Sequence, residues 1–254
     1  MSFVRPKKHL GQHFLKDDNI ARKIVASLLD NRNVIEIGPG TGILTKHLLE
    51  IPEINLKLIE VDKESVDYLL LQYPEINEQI FLSDFLAYNL KSLFSDSFSV
   101  IGNFPYNIST QILFKVLEYR TQVSEVVGMF QKEVAVRIAS GPGTKDYGIL
   151  SVLMQAFYTI EYLFTVNESV FVPPPKVKSA VIRFVRNEVK TIDCDEKLFF
   201  TVVKTAFNQR RKTLRNALSS IQFNTNETLS SLFTKRAEQL SVDEFVFITQ
   251  HVLH

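Results

Sequence analysis

The sequence predicts a doubly wound, mostly parallel α/β sheet followed by a small all-helical C-terminal domain. Three observations carry that expectation. Short apolar runs alternate with stretches of helical spacing from Val34 to Phe130, the pattern of βαβ units joined by right-handed crossovers. A glycine-rich turn, Glu36-Ile37-Gly38-Pro39-Gly40-Thr41-Gly42, directly follows the first run, where such sheets receive a nucleotide. After about Glu188 the pattern becomes helical only. The expected domains are therefore 1–190 and 191–254.

Asp17 or Asp18 can cap a helix through Ile20, Ile24, Val25 and Leu28, which share one face. Val34–Ile37 reads as a buried strand. Ile43, Leu44, His47, Leu48 and Leu49 make the next stretch an amphipathic helix. Leu56–Val61 is the second strand, and its helix ends near Tyr73 because Pro74 cannot continue it. Ile80-Phe81-Leu82 is the third strand, ending at Ser83-Asp84. Val100-Ile101 opens the fourth, a helix covers Ile112–Leu117, and Val126–Phe130 is the fifth. A helix, a Gly141-Pro142-Gly143 turn and further sheet material around Ile149–Tyr162 are expected next. Pro173-Pro174-Pro175 must be extended, and Val177–Val185 alternates like a last strand. Ser241-Val242-Asp243-Glu244 reads as a capping box opening the final helix.

Composition narrows the chemistry. A chain 45% hydrophobic and 22% charged suits a soluble globular fold. No apolar run approaches the roughly 18 residues a membrane helix needs. The basic N-terminus lacks a signal peptide's apolar stretch, and the single cysteine, Cys194, fits a reducing cytoplasm. One cysteine cannot furnish a deaminase's zinc ligands, so no metal is expected. Acids at 193, 195 and 196 make Cys194 a poor nucleophile. Net charge is only +1, yet Arg5, Lys7, Lys8 and Lys16 form one acid-free segment, and Lys204, Arg210, Arg211, Lys212 and Arg215 form another. Both suit local phosphate contacts.

The glycine turn fails the dinucleotide fingerprint, because position 43 is Ile, and fails the P-loop, because no Lys-Ser/Thr follows Gly42. A nucleoside without a pyrophosphate fits better at Gly38 and Gly40, and S-adenosylmethionine is such a ligand. Glu60, ending the second strand, suits a carboxylate on the ribose hydroxyls. Asp84 suits an adenine amino group, and Glu36 suits the loop or the methionine moiety. Asp62 and Asp67 read as surface acids or helix caps. The tetrapeptide Asn103-Phe104-Pro105-Tyr106 falls where the fourth strand ends. An amide, a backbone carbonyl and an aromatic ring there suit an exocyclic amine: the Asn103 oxygen and Phe104 carbonyl accept its hydrogens, Tyr106 stacks on the base, and Pro105 fixes the turn. These residues point to an enzyme that methylates the amino group of an unpaired or flipped base.

Seven segments in order then resemble the ribosomal RNA adenine dimethyltransferases of the small-subunit type, nearly end to end. They are Lys8–Leu15, Glu36–Gly40, Gly102–Thr110, Gln131–Val134, Tyr147-Gly148, Phe171–Val177 and Phe207–Asn216. The resemblance implies a class I S-adenosylmethionine-dependent methyltransferase fold. It implies cofactor contacts at His13, Leu15, Gly38, Glu60, Asp84 and Asn103, and a target base among Asn103, Phe104, Tyr106 and Phe171, the last as a second stacking face. It also implies dimethylation of two adjacent adenosines near the 3′ end of small-subunit rRNA, in an assembling subunit. Arg210, Arg211, Lys212, Arg215, Lys7 and Lys8 become the expected RNA contacts of a cytoplasmic monomer. His13 and Phe104 depart from the family's common Asn and Leu. The rival readings are a large-subunit rRNA adenine dimethyltransferase, an assembly factor with incidental methylation, and a DNA amino-methyltransferase.

Overall fold

The structure, a computed structural model, describes residues 4–30 and 32–253. Helices α1 (Asp18–Val25), α2 (Ile43–Leu48), α3 (Lys63–Gln72) and α4 (Ser109–Glu118) separate strands β1 (Phe14–Leu15), β2 (Asn33–Ile37), β3 (Asn55–Glu60), β4 (Ile80–Leu82), β5 (Phe98–Asn103) and β6 (Val123–Gln131). Then come α5 (Lys132–Ala139), α6 (Ile149–Gln155), β7 (Tyr158–Val166), β8 (Phe171–Val172) and β9 (Ser179–Arg186). The chain finishes with α7 (Glu196–Asn208), α8 (Leu214–Ala217), α9 (Glu227–Leu232) and α10 (Val242–Gln250). Two compact units result. One holds the described residues up to Ala135 with Glu161–Arg186; the other holds Val136–Ile160 with the described residues from Asn187. The sequence-based boundary at 190 left 136–160 with the sheet, whereas these residues cluster with the C-terminal helices.

A seven-stranded sheet runs in the order β4-β3-β2-β5-β6-β9-β7. Pairs β2–β3, β3–β4, β2–β5 and β5–β6 are parallel, and β9 runs antiparallel to β6. The order grows outward from β2 to β4, then returns to β5 on β2's other side. The carboxyl ends of β2 and β5 thus flank the switch point where open α/β sheets open a crevice. Val34, Ile35, Leu58, Val100, Ile101, Val126 and Val127 are essentially inaccessible, as expected of parallel strands covered on both faces. Asp17 caps α1, accepting from the Ile20 N–H at 3.0 Å. A two-stranded pairing, Phe14 with Val172 and Leu15 with Phe171, joins segments far apart in sequence.

One paired position shapes the site from beneath. Gly102 of β5 faces Gly128 of β6, and a Cβ on either would strike the Phe104 ring. The two glycines form a slot for that ring, which is 1% exposed and meets Phe130 edge-on at 5.2 Å.

In the second unit, α6 packs on α7 and α10. Tyr147, Phe207 and Phe245 form a ring stack with centroids 6.2 and 6.0 Å apart. Asp195 caps α7, and Ser241 and Glu244 form the expected capping box. The sheet expected from Ile149 is a correction: Ile149–Gln155 is helical, and the strand starts only at Tyr158. The run Ile149-Leu150-Ser151-Val152-Leu153-Met154 is buried along most of its length, and a short apolar run carries no periodicity that separates helix from strand.

Gly128→Ala should therefore lower stability by about 1–3 kcal/mol, read as a reduced urea midpoint, because the added methyl overlaps the Phe104 and Phe130 rings.

Candidate active site

The loop after β2 needs glycine. Gly38, Gly40 and Gly42 have φ of 63°, 56° and 80°, in the left-handed region that disfavours side chains. A Cβ on Gly38 would meet nothing within 4 Å, while one on Gly40 would press on Phe14 at 2.8 Å. Glu60, 3% exposed at the end of β3, ties this loop to the next. Its Oε2 accepts the Gly40 N–H at 3.0 Å and its Oε1 accepts the Asp62 N–H at 2.9 Å. Burial raises the Glu60 carboxyl above its ordinary value, against these two donors. Glu36 lies beneath the loop, 1% exposed, and accepts from the Thr45 hydroxyl at 2.7 Å. Burial pushes it up to about 8. Asp84 is exposed, and its Oδ1 accepts the Leu86 N–H at 2.8 Å.

Leu10–Phe14 form a strap that lines the cleft, and Asp62 anchors it through Gln12. The buried Asp62 carboxylate pairs with Lys7 and accepts from Gln12 Nε2 at 3.1 Å. It also accepts the Glu64 N–H at 3.1 Å, so the helix-cap reading holds and is incomplete. Burial raises Asp62, but the bonds from Lys7 and Gln12 outweigh it and hold the carboxyl below its ordinary value. Asp62 is the site residue that sequence reasoning missed. No spacing rule links position 62 to positions 7 and 12.

At the end of β5, Asn103 Nδ2 donates to the His13 carbonyl at 2.8 Å. That bond fixes which end of the amide faces the strap, so the oxygen lies on the side away from the His13 carbonyl. The Tyr106 hydroxyl bonds Ser179 Oγ at 2.5 Å, which fixes the ring. His13 lies against that ring, centroids 5.5 Å apart at 30°. Its Nδ1 is 2.7 Å from the Pro173 carbonyl, which can only accept, so this nitrogen carries the proton. The cleft brings together His13, Gly38, Gly40, Glu60, Asp84, Asn103, Phe104, Pro105 and Tyr106.

Other expected residues stand elsewhere. Phe171 is 1% exposed and packed in the apolar core with Val166 and Val181, so its ring does not line this cleft. The Leu15 side chain is buried in the same cluster and lines a second groove with Tyr68 and Tyr73. Lys7 serves Asp62 and Glu64. Arg210 donates to the carbonyls of Lys145 and Tyr147 at 2.7 and 3.0 Å, so part of its guanidinium holds that turn. Lys8, Arg211, Lys212 and Arg215 are exposed. Burial, then the three neighbouring acids, pushes the Cys194 thiol up to about 11.

The donor set decides which ligand fits. Ile37, Ile59, Val61 and Phe85 give the cleft apolar walls, Glu60 and Asp84 give it two carboxylates, and its lining among the described residues includes no lysine or arginine. A pyrophosphate would find two acids and no lysine or arginine to neutralise it, whereas a nucleoside bearing a cationic sulfonium fits. A family model described as ribosomal RNA adenine dimethylase matches residues 4–252. The chain belongs to this family. Its members are S-adenosylmethionine-dependent methyltransferases, and the fold is that of the class I enzymes. The ribosomal RNA small subunit methyltransferase A of Flavobacterium johnsoniae is 56% identical over 255 residues, covering 99% of this chain and 97% of that protein. The protein of the same name from Cytophaga hutchinsonii is 56% identical over 252 residues, covering 98% of each. Among solved structures, a dimethyladenosine transferase from Plasmodium falciparum matches with TM-score 0.79 at 24% identity, covering 93% and 96% of the two chains. The 23S rRNA methyltransferase ErmE matches with TM-score 0.69 at 22% identity, covering 93% and 99%. Both likenesses show the fold alone.

Burial of Glu36 makes stability depend on pH. With its folded value near 8, above the ordinary 4.5, the folded chain retains a proton that the unfolded chain releases. Its contribution is present at pH below 4.5 and is lost as pH rises through 8. Glu36→Gln should therefore gain about 1–4 kcal/mol relative to the parent between pH 5 and 8.5, measured by urea unfolding at both pH values without ligand.

Proposed function

We propose that this chain transfers methyl groups from S-adenosylmethionine to the exocyclic amines of two adjacent adenosines near the 3′ end of small-subunit (16S) rRNA. It yields dimethyladenosines on rRNA within an assembling small subunit, acting as a cytoplasmic monomer. Among the described residues no helix is long and apolar enough to cross a membrane. The observation that carries the reading is the commitment of Asn103 Nδ2 to the strap, which presents an acceptor oxygen at the switch point.

The cofactor supplies a methyl group on a sulfonium sulfur, a good leaving group. An adenine amine is a weak nucleophile because its lone pair is delocalised into the ring. Asn103 Oδ1 and the Phe104 carbonyl accept its two hydrogens and draw the nitrogen toward a pyramidal geometry. Burial of the Phe104 ring in its glycine slot supports this division, since it leaves only the backbone of Phe104 to act. The larger ring at 104 therefore takes its volume from the slot. Tyr106, fixed by Ser179, stacks on the extruded base. Glu60 and Asp84 take the ribose hydroxyls and the cofactor's adenine, as strand-end acids of this fold do. His13, Gly38 and Gly40 line the same cleft; Leu15, with its side chain in the core, would contribute only through its backbone. Phe171 would reach the base only after its ring leaves the core.

Relatives named small subunit methyltransferase A at 56% identity favour this substrate over large-subunit rRNA. Incubation with labelled cofactor and unmethylated small subunits, followed by digestion, should place dimethyladenosine in the small-subunit rRNA. Asn103→Ala should cut the rate by roughly 10²-fold, the scale for losing one positioned polar group. Label in large-subunit rRNA, or in duplex DNA, would overturn the assignment.

The exposed cations are the proposed phosphate contacts. Replacing Arg211, Lys212 and Arg215 together by Ala should flatten the log–log salt dependence of subunit binding by about two to three units. An unchanged slope would place the RNA elsewhere.

A further inference from the structure

Lys115 is a cation where a helix should bury a hydrocarbon. It lies in α4, and the residue is 6% exposed. Burying an ammonium is costly unless its donors are met, and a well-packed apolar residue of similar volume is often as stabilising. The partners of Lys115 show what the cation achieves. Its Nζ donates to the carbonyls of Leu86 and Tyr88 at 2.8 and 2.5 Å. It also lies 5.3 Å from the Phe85 ring centroid and 5.7 Å from that of Tyr119.

The segment so held is one wall of the cleft. Ser83, Asp84 and Phe85 all line it. The N–H groups that follow turn back on Asp84: Leu86 donates to Oδ1 at 2.8 Å, and Ala87 and Tyr88 donate to its carbonyl at 3.1 and 3.0 Å. The carbonyls of Leu86 and Tyr88 accept from Lys115 instead. The turn is thus held from both sides, by Asp84 through its N–H groups and by Lys115 through its C=O groups. Asp84 is itself exposed, so the second hold from the buried Lys115 ties the turn to the body of the unit. The opposite wall is tied to the same helix, since α4 begins at Ser109, three residues after Tyr106.

We propose that Lys115 is a positioning residue that clamps the Asp84–Tyr88 turn to α4, setting the Asp84 carboxylate for the cofactor's adenine. This rests on the cofactor reading above. A neutral apolar side chain would keep the helix packed and free the turn.

The test uses the full chain, with S-adenosylhomocysteine as the probe in calorimetry. Lys115→Met, or Lys115→Gln should the first not fold, is expected to raise Kd about tenfold. The KM for the methyl donor should rise by a similar factor, with kcat within about twofold of the parent. In the ligand-free variant, amide exchange at Leu86 and Tyr88 should speed up while the strands keep their protection. Lys115→Arg, which retains donors for both carbonyls, should bind within about threefold of the parent. A parental Kd in Lys115→Met, exchange raised evenly through the unit, or an arginine variant no better than methionine would each overturn the clamp. If the parent itself bound no probe, the cofactor reading would fail instead, and exchange at Leu86 and Tyr88 would still decide the clamp.

Discussion

The hydrogen bond from Asn103 Nδ2 to the His13 carbonyl is the contact on which the site depends. A primary amide offers two donors on one side and an acceptor on the other. Committing the nitrogen therefore determines what the opposite end presents. That commitment requires the strap to be in place, and the strap is held by Asp62 through Lys7 and Gln12. A carboxylate at the start of α3 is thus linked to the orientation of an amide at the end of β5 through the strap, by way of Gln12 and His13.

The same economy governs the other polar groups. Each oxygen of Glu60 receives a backbone N–H, one from the glycine loop and one from Asp62. A carboxylate oxygen has capacity for a further donor, so Glu60 can hold its loops and a ribose together. Below the sheet surface, the facing glycines at 102 and 128 give space to an aromatic ring at 104. The ring at 104, where the family commonly has Leu, is thus taken up by the core.

Much of this was legible in the sequence, for physical reasons that also mark the limit. The parallel strands show as short, mostly apolar runs because both faces are covered, and the loop after β2 shows because positive φ selects glycine. The caps at Asp17 and Ser241 follow from local hydrogen bonding within a few residues. What was not legible is non-local or aperiodic. The pairing of β1 with β8 joins Phe14 to Val172, and nothing in two short segments announces it. Asp62 and Lys115 look like ordinary surface charges until the fold buries them. Phe171 carries the right ring in the right order along the chain, yet the register of Leu15 with Phe171 sets it in the core. Ile149–Gln155 is apolar nearly throughout, and such a run fits a buried helix as well as a strand.

The basic residues show why counting charge misleads. Lys7 and Arg210 fall in the two acid-free segments, yet Lys7 neutralises Asp62, and Arg210 donates to two backbone carbonyls. A cation already paired with a carboxylate, as Lys7 is, adds little net positive charge toward displacing the counterions condensed on RNA. Meeting RNA would also require it to break the bond that holds the strap or the turn. Lys8, Arg211, Lys212 and Arg215 are exposed and bear no such cost. On the proposed function, a nearly neutral chain would meet a polyanion through exposed cations such as these, while a cleft lined by Glu60 and Asp84 would receive a sulfonium. Adding positive charge to that cleft would favour phosphate over the cofactor, so the two tasks require opposite local fields and separate surfaces.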